Sequence, residues 1–312
     1  MTRRLVVGTR GSALARIQTG LITETLQRAH PNLHIEIRKI KTLGDKNPAM
    51  PSHQAENPGI FVKEIEDHLL RGEIDLAVHS LKDLPTEMPP GTRIAAIPPR
   101  EDPRDVLVSR GRIRFEQLPS GAVLGTGSPR RKAQLLAARS DLDIQPIRGT
   151  VDTRLRKVEE GQYDATVLAA AGLHRLGRHN VITQYFPLEM ILPEVGQGAL
   201  ALEVRADDSA TLALLRPLND PATEAAISAE RAFLKRMGGG CSVPITAYGR
   251  IENGQLVLDA LLAAADGSRI LRYRARGRLE DPEGPAQEAA RALMEMGATE
   301  LLAPERIPLT NA

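Results

Sequence analysis

The only cysteine of the chain follows three glycines, in Gly238-Gly239-Gly240-Cys241. A lone cysteine is most often a small buried hydrophobic residue. Three glycines, however, carry no side chains that would shield the thiol, and they let the backbone approach another group closely. A thiolate is a strong nucleophile, and with a carbon electrophile it forms a stable thioether. Two interpretations of Cys241 are therefore open, a buried core residue and a covalent attachment point.

Asp83 is the carboxylic acid best placed for acid–base chemistry. It follows a predicted buried strand in the segment Val78-His79-Ser80-Leu81-Lys82-Asp83-Leu84-Pro85. Ligands of open α/β sheets bind at the carboxyl ends of the strands, so this position is favourable. A turn residue or a helix cap is the alternative interpretation of Asp83. His79, within the strand, is predicted to be a structural hydrogen-bonding residue rather than a catalyst.

The basic residues are mainly arginines, which number 33 against 8 lysines. Arginine presents a planar fork of donors to carboxylates and phosphates, so an acidic ligand is one explanation, and codon bias is the other. Placement favours a ligand, because several arginines follow predicted strands or open predicted helices, where free N–H groups attract anions. These residues are Arg10, Arg130, Arg131, Arg148, Arg154 and Arg156.

Composition argues against several other classes of protein. The 41 basic and 39 acidic residues leave a net charge of +2, and aromatic residues make up 3%, so a nucleic-acid-binding protein is disfavoured. One cysteine rules out an intramolecular disulfide, and no His/Asp/Glu cluster has ligand spacing, so no metal is predicted. Because the N-terminus lacks a long apolar segment, we expect no signal peptide and no transmembrane helix, and a cytoplasmic location.

The elements that position these residues occur twice. Residues 5–8 read as a strand, followed by a turn and a helix over residues 13–29. Residues 123–124 begin the same succession, which ends in a helix over residues 129–139. The pair Ser128-Pro129 supplies a favoured cap and a favoured first residue for that helix.

A second repeat follows each helix. Gly72-Glu73-Ile74-Asp75 and Gly161-Gln162-Tyr163-Asp164 each combine a glycine at a helix end with an acidic turn residue before a buried strand. Two β-α-β halves with largely parallel sheets explain both repeats. Residues 98–103 and 192–198 read as two crossings between the halves, and residues 199–205 as a strand that returns to the first.

Beyond the second crossing, the pattern changes to α+β. A helix over residues 222–237, three strand-like segments within residues 243–277 and a helix over residues 285–296 indicate an antiparallel sheet.

Residues 42–60 are rich in Pro, Asn, Gly and Ser and are predicted to form a lid beside the cleft. The predicted domains are a first lobe of residues 1–99 and 200–217, a second lobe of residues 104–193 and a C-terminal domain of residues 222–312.

Taken together, the chain resembles the porphobilinogen deaminase family, also called the hydroxymethylbilane synthases, from about Leu5 to the last predicted helix. The most specific segments are Gly8–Ser12, Val78–Pro85, Gly125–Lys132, Ile147–Arg154, Val195–Leu200 and Gly239–Cys241. The resemblance implies an α/β fold with two periplasmic-binding-protein-like lobes of mainly parallel sheets, and a C-terminal α+β domain with a three-stranded antiparallel sheet. It implies a transferase of haem biosynthesis that deaminates four porphobilinogen molecules and joins them head to tail into hydroxymethylbilane.

By position, the resemblance implies that Cys241 holds a dipyrromethane cofactor through a thioether and that Asp83 is the catalytic acid/base. The residues implied to bind the cofactor are Asp45, Ser80, Lys82, Thr126, Ser128, Arg130 and Arg131. The residues implied to bind substrate are Arg10, Ser12, Arg148, Arg154 and Gln197. The family resemblance further implies a monomer whose partner is the small molecule porphobilinogen. Neither a nucleic acid nor a membrane is expected as a partner, for the reasons of composition given above. The chain departs from many members at Asn57-Pro58-Gly59, where they carry Gly-Lys-Gly, so it lacks a lysine that would contact the cofactor or the lid.

The chemistry agrees with these roles. Each pyrrole brings two carboxylates, which bidentate arginines can bind. Loss of ammonia leaves an electron-poor methylene-pyrrole cation, which those arginines would repel and a carboxylate such as Asp83 would stabilise. The alternative is a non-enzymatic solute-binding or effector-sensing protein on the same bilobed fold. The Gly-Gly-Gly-Cys segment disfavours that alternative, because a pure binder needs no covalent anchor.

Overall fold

The computed structural model describes residues 4–42, 62–238 and 243–302 of the chain. Asp45, Cys241, Asn57-Pro58-Gly59 and all of the predicted lid except Thr42 lie outside the described residues. Within the described ranges, no helix has the length and apolar character needed to cross a bilayer.

Strands and α-helices are interspersed along the described residues. The strands are β1 (Arg4–Arg10), β2 (His34–Ile40), β3 (Leu76–Ser80), β4 (Thr92–Ala96), β5 (Asp105–Ser109), β6 (Val123–Gly125), β7 (Asp143–Gln145), β8 (Ala165–Ala169), β9 (Gln184–Tyr185), β10 (Leu200–Arg205), β11 (Ile245–Glu252), β12 (Gln255–Ala263) and β13 (Ile270–Gly277). The α-helices are α1 (Ala13–Ala29), α2 (Lys63–Leu70), α3 (Pro129–Ala138), α4 (Val151–Glu159), α5 (Ala170–Arg175), α6 (Ser209–Leu215), α7 (Pro221–Arg236), α8 (Glu283–Glu295) and α9 (Ala298–Leu302).

The sheets of the two lobes have the same topology. Their strand orders are β2-β1-β3-β10-β4 and β7-β6-β8-β5-β9. In each sheet the first three strands are parallel, and the fourth, β10 or β5, is antiparallel to both of its neighbours. The predicted fold class, with two α/β lobes of mainly parallel strands, is confirmed. The antiparallel strand in each lobe was not foreseen, and each one directly follows a crossing from the other lobe.

The repeated glycine-acid segments perform the same task in both lobes. The Asp75 carboxylate accepts a hydrogen bond from the Val6 N–H at 2.9 Å, and the Asp75 N–H donates to the Val6 carbonyl at 2.8 Å. Asp164 makes the same two contacts with Val123, both at 2.9 Å. Each aspartate therefore fastens the start of β3 or β8 to the neighbouring strand, β1 or β6, which explains why the segment recurs.

Helices cover both faces of the first sheet. Side chains alternate between the faces of a strand, so Leu5 and Val7 of β1 point one way and Val6 the other. Leu26 of α1 packs with Leu5 and Val7, whereas Leu69 of α2 packs on the opposite face with Val6. Burial of each such side chain stabilises the fold by about 1.5–3 kcal/mol.

The C-terminal unit is the predicted three-stranded antiparallel sheet, in the order β11-β12-β13. Phe233 of α7 and Leu293 of α8 are fully buried against Leu258 on one face of this sheet. Leu261, on the other face, packs with Ala133 of α3 in the second lobe. The domain limits drawn from the sequence stay a prediction.

The two crossings run side by side. The Glu101 N–H donates to the Gly198 carbonyl at 3.2 Å. Gly198 has φ +89°, and a Cβ there would lie 2.3 Å from the Glu101 carbonyl oxygen. Only glycine fits this close approach without strain.

Candidate active site

A cleft of about 190 Å³ lies between the two lobes and the second crossing. It is lined by Ser80 and Lys82 from the first lobe, Arg131 and Arg154 from the second, and Gln197 from the crossing. The structure thus brings five of the residues that the sequence singled out to one cavity.

Asp83 lies in a short 3-10 turn, Leu81–Asp83, that follows β3 directly. The turn is held in place because the Leu81 N–H donates to the Ala199 carbonyl at 3.0 Å. A Cβ on Gly196 would lie 2.4 Å from Leu81 Cδ2, so the crossing packs tightly under the turn. At the equivalent place after β8 the second lobe has Gly172, which lines the cleft and carries no acid.

Burial raises the pKa of the Asp83 carboxyl above its ordinary value, and the positive charges of Lys82 and Arg10 partly oppose that shift. Glu194 adds to the rise. Lys82 Nζ is itself 3.7 Å from Glu194 Oε2 and is partly exposed, so it keeps donors for another anion. Among the described residues Asp83 forms no ion pair or hydrogen bond through its side chain, which leaves both oxygens available for proton transfer.

Arg130 and Arg131 open α3 and share one buried counter-ion, Asp105. Arg130 Nη1 donates to Asp105 Oδ2 at 2.7 Å, and Arg131 donates through Nη2 at 2.7 Å and Nε at 3.1 Å to Oδ1. Burial opposes ionisation of Asp105, but the two guanidinium charges outweigh it and hold the pKa of Asp105 well below its usual range. Backbone carbonyls of Leu192 and Val167 accept further bonds.

This cluster retains a positive charge that can bind an anion. Two guanidinium groups face one carboxylate. Nε and Nη2 of Arg130 are buried, and neither has a hydrogen-bond partner in the described part of the chain. Buried donors are normally paired, so an acidic group that accepts from Arg130 would satisfy this site.

Gln197 connects the cluster to both crossings. Its side-chain amide donates to Asp105 Oδ1 at 2.9 Å and to the Pro103 carbonyl at 2.7 Å, and its amide oxygen lies 3.4 Å from Arg131 Nη2. Its own carbonyl accepts from Arg100 Nε at 2.7 Å. Gln197 is fully buried, so the side chain braces the crossings as well as bordering the cleft.

Arg154 adds charge on the far wall of the cleft. Its Nε donates to the Gly149 carbonyl at 3.0 Å. Burial, together with the positive charges of Arg131 and Arg148, lowers the pKa of Arg154 to about 10. An anion bound between these groups would relieve the repulsion, so the wall favours a carboxylate ligand.

Three of the predicted ligand hydroxyls cap the turns before the helices. Ser12 Oγ accepts from the Ala15 N–H at 3.2 Å, and Ser128 Oγ accepts from the Arg131 N–H at 3.4 Å. Thr126 Oγ1 accepts from the Ser128 N–H at 3.2 Å. The predicted cap at Ser128 with proline in the first turn is confirmed. Each hydroxyl keeps a donor, so the ligand roles inferred from the sequence stay predictions.

Sequence reasoning missed two charged residues of this region. Arg175 lines the cleft, donates to the Gly198 carbonyl at 2.7 Å, and has its pKa lowered by burial. Arg175 is the last residue of α5, the helix that follows β8 directly, so only its place in a strand–helix unit was a usable signal. The signal for Asp105 was weaker, since it was only an acid placed before the apolar run Val106-Leu107-Val108. Its partners Arg130 and Arg131 are 25 and 26 positions away, so no local pattern connects them to it.

Two family models match this chain. "Porphobilinogen deaminase, dipyromethane cofactor binding domain" matches residues 5–213, and "Porphobilinogen deaminase, C-terminal domain" matches residues 225–295. The chain belongs to the porphobilinogen deaminase family. It is therefore an enzyme, a transferase of tetrapyrrole biosynthesis, and the family predicted from the sequence is confirmed over the solute-binding alternative.

Curated relatives agree over nearly the whole chain. A porphobilinogen deaminase of Desulforudis audaxviator is 49% identical over 97% of this chain and 98% of its own length. One of Roseiflexus castenholzii is 48% identical over 97% of this chain and 100% of its own length. Among solved structures, the BenM effector binding domain with its effector benzoate matches 69% of this chain and 90% of that chain, with 16% identity and a TM-score of 0.42.

Proposed function

We propose that this chain joins four molecules of porphobilinogen head to tail into hydroxymethylbilane and releases ammonia. Support comes from the charge of the cleft, which Lys82, Arg131, Arg154 and Arg175 line. Every porphobilinogen unit brings two carboxylates, and guanidinium groups bind these with two parallel hydrogen bonds. Membership of the porphobilinogen deaminase family points to the same substrate.

The observation that carries the proposal is the contrast between the two acids Asp105 and Asp83. Arg130 and Arg131 keep Asp105 ionised, whereas burial raises the pKa of Asp83. Environments that separate two carboxyl pKa values in this way commonly divide the roles of fixed charge and proton carrier. Asp105 is thus the counter-ion that positions the arginines, and Asp83 is the group that exchanges a proton.

The role of Asp83 follows from the charges that change during the reaction. Its carboxyl donates a proton to the amino group of the substrate, the carbon–nitrogen bond breaks, and ammonia leaves. The resulting carboxylate then stabilises the methylene-pyrrole cation against the surrounding arginines. When the new carbon–carbon bond has formed, the proton released from the ring carbon returns to Asp83, which is ready for the next unit.

A dipyrromethane cofactor bound to Cys241 through a thioether is part of the proposal. When bound, it supplies the acidic primer to which the new rings are added. The unpartnered donors of Arg130 fit one of its carboxylates, with Lys82 available for another. The further residues proposed to bind it are Asp45, Ser80, Thr126, Ser128 and Arg131.

Incoming substrate is proposed to bind Arg10, Ser12, Arg148, Arg154 and Gln197. Of these, Arg154 and Gln197 line the cleft. Arg10 acts on Asp83 through its charge, and Arg148 acts on Arg154 in the same way. A cytoplasmic monomer stays a prediction from the sequence.

Mass spectrometry of the active protein tests the proposal directly. We expect a mass above that of the bare polypeptide by two pyrrole units, and colour with an acidic aldehyde reagent. The Cys241→Ala variant should have the mass of the bare polypeptide and no turnover. The neighbouring Ser242→Ala variant should keep the added mass and the activity of the parent. A fully active protein with the bare polypeptide mass contradicts the thioether and the cofactor together.

A further inference from the structure

Three titratable side chains are buried on one face of the first sheet, at β3, the strand that leads to Asp83. His79 Nε2, on β3, lies 2.8 Å from Glu203 Oε2, on β10. Both residues are buried, with 5% and 0% of their surface exposed. Glu66 of α2 is the third member, and it is also buried.

The sheet register explains why these residues meet. Ala201 faces His79 and Glu203 faces Ala77 in the antiparallel pairing of β10 with β3. His79 and Glu203 are therefore diagonal neighbours on one face of the sheet, within reach for long side chains. Ala77 packs in the same cluster as α2, so this is the face that Glu66 approaches.

The cluster holds fewer hydrogen bonds than its polar atoms require. Glu66 Oε1 and Glu203 Oε1 are buried and have no partner among the described residues. Ionised carboxylates are costly in such a place, so a proton is expected on one of them. Burial, followed by the charge of Glu203, raises the pKa of Glu66 to about 7, with Asp67 adding to the rise and His79 opposing it.

The cluster is linked to the candidate catalytic acid in two ways. His79 lies near the end of β3, and Asp83 is four residues later, in the turn that follows this strand directly. Its charge also acts on the Asp83 carboxyl, together with those of Lys82, Arg10 and Glu194. Glu66 interacts through its charge with Glu203, Glu203 contacts His79, and His79 acts on Asp83, so the three residues connect Glu66 to the candidate catalytic acid.

We propose that Glu66, Glu203 and His79 form a buried proton-holding network and that Glu66 is a positioning residue that sets the ionisation of Asp83. The inference rests on the proposed role of Asp83. With its proton, Glu66 adds no charge beneath β3. Without it, an added negative charge beneath β3 opposes ionisation of Asp83. No metal or added reagent is needed, because the proton exchanges with solvent.

The test compares Glu66→Gln with the parent in kcat, KM and thermal unfolding from pH 5.5 to 8.5. Gln resembles the protonated acid and lacks the charge that helps to keep Asp83 protonated at high pH, so the ratio of kcat values, variant to parent, should be about one at pH 6 and fall by up to about tenfold at pH 8, which corresponds to one pKa unit. KM should change by less than about twofold, since Glu66 does not border the cleft. Glu24→Gln, an exposed site on α1, is the control and should follow the parent at every pH.

Two outcomes overturn the inference. In the first, kcat depends on pH in the same way in the parent and in Glu66→Gln. In the second, the melting temperatures of the two proteins diverge above pH 7 while the ratio of their kcat values stays constant. The second outcome would mean that the cluster has a structural role only. Should Glu66→Gln fold poorly, Glu203→Gln gives the same comparison from the other carboxyl. A parent that consumes no porphobilinogen contradicts the proposed function instead, and the pH dependence of unfolding still reports whether Glu66 titrates.

Discussion

Arg131 is bound to Asp105 by two hydrogen bonds, at 2.7 and 3.1 Å, from Nη2 and Nε to a single carboxylate oxygen. The contact joins the first turn of α3 to the head of β5. It fixes the guanidinium before any ligand arrives, so less side-chain entropy is lost when an anion binds. Since Arg130 shares the same carboxylate, the two arginines form one preorganised cationic unit beside the cleft.

Asp83→Asn should abolish most turnover without unfolding the protein. The expected loss in kcat is about 10²–10⁴-fold, because general acid–base help is removed while the shape is preserved. Burial raises the pKa of Asp83, so its charge is unfavourable to the folded state, and the neutral variant should unfold at the same or a higher temperature at pH 7. Asp207→Asn, at an exposed site, is the matched control. Activity of Asp83→Asn within a few-fold of the parent removes Asp83 from the mechanism.

Asp105→Asn should lower the free energy of unfolding by about 3–5 kcal/mol at pH 7, because two buried guanidinium groups lose their counter-ion. The folded-state pKa of Asp105 is depressed below its ordinary value of 3.8. Its stabilisation is therefore present above that pH and is lost as the pH falls below it. Urea unfolding at pH 7 and pH 3 compares the full stabilisation with one that is already reduced at the lower pH. Equal destabilisation at the two pH values contradicts the role of the charge, and Asp143→Asn serves as the exposed control.

Arg154→Gln should raise KM for porphobilinogen by about 10–100-fold, since a hydrogen bond to a charged group contributes about 1.5–3 kcal/mol. The same helix offers a control two residues on. Arg156 has 66% of its side chain exposed and only a 3.7 Å ion pair with Glu160, so Arg156→Gln should leave KM unchanged. Steady-state kinetics on both variants decide the matter. Equal KM values in Arg154→Gln and the parent would reduce Arg154 to a structural residue.

Gly198→Ala should destabilise the protein more than Gly177→Ala. Both glycines have a positive φ, +89° and +68°, so each alanine carries the left-handed conformational cost of about 1–2 kcal/mol. Only Gly198 faces the Glu101 carbonyl, whereas the space beside Gly177 is open. Thermal unfolding of the two variants isolates the effect of the close approach. Identical melting temperatures of Gly198→Ala and Gly177→Ala would mean that moving the two crossings apart does not lower the stability of the protein.

Local signals in the sequence were sufficient for the repeated elements. The predicted helix over residues 13–29 coincides with α1, and Ser128 caps α3, because helix periodicity and capping chemistry are encoded within a few residues. The Asp83 turn and two arginines of the cleft, Arg131 and Arg154, were also found, since positions after strands in α/β sheets converge on one edge.

Long-range pairings were beyond such reasoning. The antiparallel placement of β10 beside β3 depends on contacts more than a hundred residues apart along the chain, with Leu200 facing Ser80. The pairing of Asp105 with Arg130 and Arg131 has no local pattern either, and neither has the buried contact between His79 and Glu203. The two guanidinium charges that lower the pKa of Asp105 come together only in the folded protein.

The placement of β10 between β3 and β4 has a consequence for synthesis on the ribosome. The first sheet lacks an inner strand until residue 205 has emerged, whereas the strands of the second sheet are complete at residue 185. Domains tend to fold as they emerge from the ribosome. The second lobe should therefore fold before the first lobe, whose sheet is incomplete until β10 has been synthesised. The turn that bears Asp83 is anchored through the Ala199 carbonyl, so the N-terminal half of the catalytic apparatus is among the last parts to take shape.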